Sequence, residues 1–410
     1  MKVLWCSLTP GLYDDKKYGT WVAALQSAIM RYCPDIELGI MFEDEILKTC
    51  VKDGVHYYPI NKFKTSFDKF KLKINDRINW SLLIPHFKKI LEHFKPDVIE
   101  CFGSEWQYGL VKTITDIPVI IHMQGFRNYI DYTGNATISN IDMYKYFKFN
   151  PIKCFKYRFR TSKDKYRNEI EKEIMNINKY FTGRTKWDKN IVKYLSPEST
   201  YFHCEEVIRP VIYETTKKWE YHDRDELQLI SISCASVIKG NEIILQTAKL
   251  LKDFGVKFEW KVTGNEDTFA VFESKTGLRH EDLGIKLLGF IDSETIINEL
   301  ESADFYIHPS IIDNSPNSLC EAQLIGTPVL SSYVGGINHI VENEKTGFFY
   351  PYNEPFSLAF LIMNLHKKRD VLEKVSKNEI EVSHIRHNPK RIVETMLEIY
   401  STIIDENKNV

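Results

Sequence analysis

The feature that most constrains the fold is an alternation of short apolar runs with amphipathic stretches along the 410-residue chain. Segments such as 2–8, 97–102 and 303–308 have the length of buried strands, and segment 241–252 carries apolar residues at helical spacing. This alternation is typical of β-α-β units, whose parallel sheets are covered by helices on both faces. We therefore predict an α/β protein with two Rossmann-like domains and a cleft between them.

The predicted strands are near-continuously apolar, as expected for strands buried on both faces. They are 2–8, 36–42, 97–102, 118–122, 180–182, 200–204, 227–233, 257–263, 285–288, 303–308 and 328–331. A polar segment without a clear period, 217–225, predicts a boundary near it. We assign residues 1–212 to an N-terminal domain and residues 213–388 to a C-terminal domain. The helical pattern that begins at Pro389 is expected to return to the first domain.

Composition narrows the classes of function. No stretch approaches the ~20 apolar residues that a membrane helix requires. The eight cysteines form no C-x-x-C pair and no zinc spacing, a pattern that predicts buried thiols in a cytoplasmic protein without metal. Residues 1–200 carry a net charge of +9 and residues 201–410 one of −11, which suggests that the first half faces an anion. No nucleic-acid-binding motif accompanies the basic residues.

The most informative stretch follows the predicted strand that ends at His308. A polar loop containing Asp313 and Asn314 leads to a helix that we expect to begin near Asn317. Exposed N–H groups at a helix start bind anions, here a diphosphate, and Glu321 one turn later can accept hydrogen bonds from ribose hydroxyls. The donor-binding residues predicted in this stretch are Asn314, Asn317, Ser318, Leu319 and Glu321. The alternative remains that Asp313 and Asn317 are only turn and cap residues.

A second element is Lys239-Gly240, which lies between a predicted strand and a helix. The lysine offers a compact cation to a diphosphate. On its own, a Lys-Gly pair is weak evidence, because many such lysines are solvated surface residues.

Polar residues also follow the strands of the first half. Gly19 and Thr20 come after the first strand, and this loop lacks the G-x-G-x-x-G pattern of nicotinamide dehydrogenases. Gly19 and Thr20 are predicted to bind the donor, whereas Glu105, Gln124, Arg184 and Arg209 are predicted on the acceptor side or in the cleft. His122 ends a predicted strand beside Gln124, where both a structural and a catalytic role are open.

Together these residues resemble the retaining, family-4-like (group 1) glycosyltransferases of the GT-B fold. The pair Asp313 and Glu321 has the acidic-x7-acidic spacing of that family, although the first acid is usually Glu. The resemblance implies that Asp313 contacts the donor sugar, that Glu321 binds the ribose and that Lys239 holds the phosphates. It also implies contact of His122 with the sugar near the reacting carbon. The family's arginine shortly before this lysine is missing, so either Arg184 or Arg209 replaces it or donor binding is weaker.

A subgroup of this family acts in bacterial surface polysaccharide assembly. Two segments of the chain resemble segments of that subgroup: Gly183-Arg184-Thr185 with Trp187-Asp188, and Cys204 to Arg209. The resemblance implies transfer of a sugar from a nucleotide-sugar donor to a hydroxyl of a glycan or lipid-linked glycan, with retention. It implies catalytic roles for His122, Lys239 and Asp313, and no cofactor or metal. Two alternatives stay open: a non-catalytic sugar-nucleotide-binding scaffold, and a sugar-nucleotide epimerase of the same fold. Asp223-Arg224-Asp225 has the spacing of a metal motif but is interpreted as a solvated turn.

Segment 145–167 mixes charge and aromatic residues. It holds nine basic residues and a single acid, Asp164, among several phenylalanines and tyrosines. Such a composition suits an anionic membrane leaflet, so we expect peripheral binding to the cytoplasmic face of a membrane; a solvated helix face is the alternative. A weaker version of the same pattern occupies residues 62–77.

Overall fold

The protein is described from a computed structural model that covers residues 1–13, 21–63, 65–74, 78–232 and 234–408. Its strands are β1 (Lys2–Cys6), β2 (Glu37–Glu43), β3 (Cys50–Lys52), β4 (Val55–Ile60), β5 (Val98–Phe102), β6 (Val119–His122), β7 (Tyr180–Gly183), β8 (Thr200–His203), β9 (Leu227–Ser231), β10 (Phe258–Thr263), β11 (Ile285–Gly289), β12 (Phe305–His308), β13 (Val329–Ser332) and β14 (Phe348–Tyr350).

The helices alternate with these strands. They are α1 (Trp21–Tyr32), α2 (Ser66–Ile74), α3 (Asn79–Phe94), α4 (Arg127–Thr137), α5 (Asn140–Tyr146), α6 (Pro151–Ile177), α7 (Lys186–Leu195), α8 (Pro210–Tyr213), α9 (Asn241–Asp253), α10 (Glu266–Thr276), α11 (Ser293–Ser302), α12 (Asn317–Ile325), α13 (Ile337–Ile340), α14 (Pro355–Leu365), α15 (Arg369–Arg386) and α16 (Pro389–Lys408). Short 3-10 helices span Gln107–Ile114, Val237–Lys239 and His280–Leu283.

The described residues form two compact units. The first comprises residues 1–128, 158–209 and 387–410, and the second comprises residues 129–157 and 210–386. The change from one unit to the other at Arg209 and Pro210 precedes the polar segment 217–225. The stretch 129–157, which precedes that boundary, groups with the second unit, and α16 groups with the first.

The first unit is built on an eight-stranded sheet of order β3-β4-β2-β1-β5-β6-β7-β8. All of its pairings are parallel except that of β3 with β4. Side chains of successive residues point to opposite faces, so Trp5 of β1 joins a core with α1 and α16, whereas Leu4 and Cys6 join a core with α3. Helices therefore cover both faces of this sheet, as the continuous apolar runs predicted.

The second unit contains a six-stranded parallel sheet of order β11-β10-β9-β12-β13-β14. Here β9 lies directly beside β12, with Ile230 opposite Tyr306. The loops that follow these two strands therefore leave the same edge of the sheet next to each other. That adjacency brings together two polar loops far apart in sequence.

Most predicted strands and helices are present within two residues of their predicted ends. The structure differs at β3, β4 and β14, which were not predicted, and Ser233 at the end of a predicted strand lies outside the described residues. Within the part of the chain that the structure describes, no helix is both long and apolar enough to cross a bilayer.

Candidate functional site

The first cluster of polar side chains lies in the second unit, where the loops after β9 and β12 meet. The backbone N–H of Ile311 donates to the carbonyl of Ile238 at 2.8 Å, which joins the two loops. Gly240 has φ +78°, and a Cβ at this position would lie 1.9 Å from the carbonyl oxygen of Pro309. This position therefore requires glycine, and the close approach of the loops depends on it.

This approach sets Lys239 against Asp313. The Lys239 Nζ lies 2.5 Å from the Asp313 Oδ2, and the two side chains are 23% and 14% exposed. The same carboxylate accepts hydrogen bonds from Ser310 Oγ at 3.1 Å and from His308 Nε2 at 3.2 Å. Burial opposes ionisation, but Lys239 and His308 outweigh it and hold the pKa of Asp313 well below its usual value. Asp313 is therefore a carboxylate fixed by three donors.

His308 and Tyr306 continue this network into the core. Tyr306 Oη lies 3.1 Å from His308 Nδ1 and donates to Ser318 Oγ at 2.9 Å. Burial lowers the pKa of His308, although its contact with Asp313 acts in the opposite direction. Sequence reasoning missed His308 and Ser310 as partners of Asp313, although both stand within five residues of it.

Helix α12 supplies the remaining residues predicted for donor binding. It begins at Asn317, as predicted, and its N-cap residue Pro316 makes no side-chain cap hydrogen bond. Ser318, Leu319 and Glu321 are buried along the first turn and a half, and Asn314 is buried in the preceding loop. The loop after β13, which contains Gly336, packs against the Asp313 loop: the Gly336 N–H donates to the carbonyl of Asp313 at 3.0 Å. Lys239, Asp313 and the start of α12 thus border one region of the second unit.

Asp223 and Asp225 lie apart from this region, on the surface of the second unit. Both carboxylates are at least 85% exposed and stand 3.6 and 3.7 Å from the ammonium of Lys367. Arg224 points the other way and pairs with Asp304 at 3.2 Å. This geometry agrees with the interpretation of the segment as a solvated turn.

The second cluster lies in the first unit at the ends of β5, β6 and β7. His122 ends β6, opposite Phe102 and Thr182 on the neighbouring strands. Its Nδ1 lies 2.9 Å from the Glu100 Oε1, and because a carboxylate only accepts, this nitrogen carries the proton. The Nε2 atom is buried and has no hydrogen-bond partner among the described residues. Glu100 therefore fixes the orientation of the imidazole ring, and Nε2 is the nitrogen that can accept a hydrogen bond from a ligand.

Glu100 is itself held by the C-terminal helix. Tyr400 of α16 donates its hydroxyl to Glu100 Oε2, and Trp5 Nε1 donates to Tyr400 Oη at 3.2 Å. Glu100, His122 and Tyr400 are all at most 3% exposed. Sequence reasoning missed Glu100 and Tyr400. The signal for Glu100 was a charged residue inside an apolar strand, because a buried charge requires partners.

Arg184 and Gln124 lie close to one another in the same unit. Arg184 is buried and forms an ion pair through Nη1 with Glu206, and its Nη2 donates to the Gln124 Oε1 at 3.3 Å. The charge of Arg184 is thus balanced by Glu206, which disfavours it as a replacement for the missing arginine near Lys239. Arg209 is half-buried at the end of this unit.

Glu105 lies in the turn after β5 and lines a cavity of about 240 Å³ in the first unit. The cavity wall also contains Lys62, Trp106 and Tyr108. Burial, with a contribution from Glu171, raises the pKa of Glu105 to about 7, and its Oε2 has no hydrogen-bond partner among the described residues. A buried carboxyl group of this kind can donate a hydrogen bond when neutral and accept one when ionised. The predicted donor-binding residues Gly19 and Thr20 lie outside the described residues.

Comparison with known proteins finds similarity that is concentrated in the second unit. Residues 213–382 match the family described as glycosyl transferases, group 1. A relative is the amylovoran biosynthesis glycosyltransferase AmsK of Erwinia amylovora, 28% identical over 183 residues that cover 42% of this chain and 44% of the relative. Another is the Escherichia coli UDP-Gal:alpha-D-GlcNAc-diphosphoundecaprenol alpha-1,3-galactosyltransferase, 31% identical over 87 residues, 21% of this chain and 22% of the relative. The chain thus spans less than half the length of these curated relatives.

Solved structures match over nearly the whole chain. Sucrose-phosphate synthase from Thermosynechococcus elongatus has a TM-score of 0.75 with 14% identity, covering 99% of each chain. Anabaena HepE in complex with UDP and glucose has a TM-score of 0.65 with 14% identity, covering 98% of this chain and 100% of that one. At such identities the likeness shows the fold, which is the GT-B fold of two parallel-sheet domains.

Proposed function

We propose that the protein is a glycosyltransferase that moves a sugar from a nucleoside-diphosphate sugar to a hydroxyl group of a glycan or lipid-linked glycan. The observation that carries this proposal is the meeting of Lys239, Asp313 and the start of α12 within the segment that matches the group 1 family. The names of the relatives favour surface polysaccharide as the product, and the complex of HepE with UDP favours a nucleotide donor.

The chemistry of the second unit fits a departing diphosphate. Negative charge accumulates on the phosphates as the bond to the sugar breaks, and fixed donors stabilise such charge most effectively in a partly dry site. Lys239 offers one cation, and the N–H groups at the start of α12 offer neutral donors. We propose that Glu321 accepts hydrogen bonds from the ribose and that Asp313 accepts one from a sugar hydroxyl.

The first unit is proposed to supply His122 and the acceptor contacts. Glu100 fixes the proton of His122 on Nδ1, so Nε2 is the atom that would accept a hydrogen bond from the transferred sugar. Glu105 is the carboxyl group proposed to contact the acceptor hydroxyl, because its Oε2 lacks a protein partner among the described residues. No side chain is assigned as a covalent nucleophile, and retention of the anomeric configuration remains part of the proposal.

A panel of nucleotide sugars screened by thermal shift tests the donor site. A ligand at ~100 times its dissociation constant stabilises its binding state by about 2.7 kcal/mol, which is measurable as a rise in melting temperature. Glu321→Ala should strongly reduce the rise for the same ligand, and a panel without any hit would contradict the proposal.

Turnover of the best donor then tests the reaction. We expect transfer to continue in the presence of EDTA, and we expect nuclear magnetic resonance to show the same anomeric configuration in donor and product. Binding without transfer or hydrolysis across an acceptor panel would favour a scaffold. Release of an epimerised sugar without acceptor would favour an epimerase.

A further inference from the structure

Most of α5, the turn after it and the first three turns of α6 carry an exposed basic and apolar surface that the proposed reaction does not use. We propose that this surface, residues 141–160, binds the anionic surface of a phospholipid bilayer. We name it the basic–aromatic patch. The inference goes beyond the proposed function, because it requires neither a donor nor an acceptor.

Helical geometry gives the exposed face of α6 its apolar character. Ile152, Phe155 and Phe159 are spaced i, i+3 and i+7, so they share one side of the helix. They are 65%, 71% and 40% exposed, whereas Cys154 and Tyr157 on the other side are partly buried. A soluble helix normally turns its apolar side chains inward, so the exposure of these three side chains departs from that pattern.

Basic residues border this apolar stripe. Segment 143–160 contains six basic residues and no acidic one. Lys153 and Lys156 stand in the first two turns of α6, where the helix has no acidic residue in its first turn. Cations are unfavourable near a helix N-terminus because of the helix dipole, so helix stability does not explain their presence. An apolar stripe flanked by Lys and Arg is the composition of helices that lie in a membrane interface.

The turn before α6 adds a third exposed phenylalanine at a cost in backbone energy. Lys148 and Phe149 have φ values of +51° and +55°, in the left-handed region that residues with side chains rarely occupy. The Phe149 side chain is 63% exposed, so burial within the protein does not compensate for this conformation. Insertion of the ring among lipid headgroups would supply that compensation.

Most of the patch, residues 141–157, belongs to the second unit and is held there by side-chain and backbone contacts. Helix α5 packs against α10, and the Lys275 Nζ donates to the carbonyl of Thr137 at 3.0 Å. Ser139 and Asp142 form a reciprocal capping box at the start of α5. The surface is therefore presented on a fixed element, which lets charge and apolar groups act together.

Flotation with vesicles tests the proposal on the full chain. We expect binding to vesicles of phosphatidylcholine mixed with phosphatidylglycerol, weak binding to phosphatidylcholine alone, and a loss of binding as salt is raised. Lys153→Gln with Lys156→Gln should lower the partition coefficient about thirtyfold, since each lysine near such a surface contributes ~1 kcal/mol. The matched control is Lys374→Gln with Lys377→Gln, an exposed pair at the same spacing on α15, which should bind as the wild type does.

The apolar stripe has its own variant and control. Phe155→Ser should reduce binding to anionic vesicles, whereas Phe290→Ser, at an even more exposed phenylalanine of the same unit, should leave it unchanged. Unchanged melting temperatures would establish that each variant is folded.

Several results would overturn the proposal. One is an absence of wild-type binding to anionic vesicles at low salt. Another is binding to neutral vesicles that equals binding to anionic ones. A third is a loss of vesicle binding that is equal in the patch variants and in their matched controls. Retention on nucleic acid, or self-association, that depends on the same residues without vesicle binding would assign the patch to a different partner. Since no arm of the test uses a donor, failure here leaves the proposed transferase activity untouched.

Discussion

The contact between Lys239 and Asp313 allows one prediction to be worked in detail. Asp313→Asn keeps the size of the side chain and removes its charge, so the Lys239 ammonium would face a neutral amide. Ser310 and His308 can still donate to the amide oxygen, so the loop should keep its course. We expect a destabilised but folded second unit that binds nucleoside diphosphates at least as well as the wild type, because Lys239 is released, and that has lost most of its turnover.

The size of the destabilisation follows from the geometry. A hydrogen bond to a charged group contributes ~1.5–3 kcal/mol, and the partial exposure of both side chains reduces the value through screening. We take about 2 kcal/mol, which corresponds to a fall in melting temperature of about 4–8 °C for a unit of 150–250 residues. The pKa of Asp313 is lowered in the folded state, so this stability is present above the unfolded pKa of ~3.9 and is lost as the pH falls below it.

A double-mutant cycle measures the interaction itself. Melting temperatures of Lys239→Met, Asp313→Asn and the double variant give the coupling energy, and Ser310→Ala serves as a control that removes only a neutral donor. Titration calorimetry with the best nucleoside diphosphate from the screen then separates binding from turnover. A coupling energy near zero, or a smaller effect for Asp313→Asn than for Ser310→Ala, would refute the reasoning.

Three further predictions concern single carboxylates. Glu321→Ala should weaken binding of the same nucleoside diphosphate by ~1.5–3 kcal/mol in calorimetry, and unchanged affinity would remove Glu321 from the donor site. Glu100→Gln should lower turnover far more than nucleotide binding, because Glu100 orients His122 and is not among the proposed donor-binding residues, and an equal loss of both would indicate a purely structural role. The pKa of Glu105 is raised to about 7, so between its unfolded pKa of ~4.3 and pH 7 the native state binds the extra proton and stability falls as the pH rises. Glu105→Gln should flatten this part of the melting-temperature profile, and a profile identical to that of the wild type would contradict the raised pKa.

Much of the fold was predictable because buried parallel strands and amphipathic helices leave distinct patterns in a sequence. The missed strands are the ones that lack this pattern. Cys50–Lys52 is three residues long and only partly buried, and Val55–Ile60 contains polar residues and a proline. Asp53 and Gly54 between them both have positive φ, which is the two-residue hairpin turn that Asp-Gly favours. That signal was present in the sequence and would have predicted both strands.

The structure brings Lys239 and Asp313, both predicted site residues, into contact, but the sequence did not predict that contact. Lys239 and Asp313 are 74 residues apart, and only the order of strands in the sheet makes β9 and β12 neighbours. No local pattern specifies that order. Tyr400 is farther still from Glu100, at 300 residues, and reaches it because α16 returns to the first unit. A charged residue within an apolar strand indicated that Glu100 requires polar partners, but only the structure identifies these partners as His122 and Tyr400.

The close approach of Lys239 to Asp313 depends on two glycines, Gly240 and Gly335. A Cβ at Gly240 would lie 1.9 Å from the carbonyl oxygen of Pro309, and a Cβ at Gly335 would lie 1.9 Å from that of Asp313. Both neighbours are backbone atoms, and both glycines have positive φ, so no side-chain movement can relieve either clash. A larger residue at either place must push a loop away, which separates the lysine from the carboxylate although neither is altered. Gly240 and Gly335 thus hold three loops close enough for the Asp313 carboxylate to contact the Lys239 ammonium.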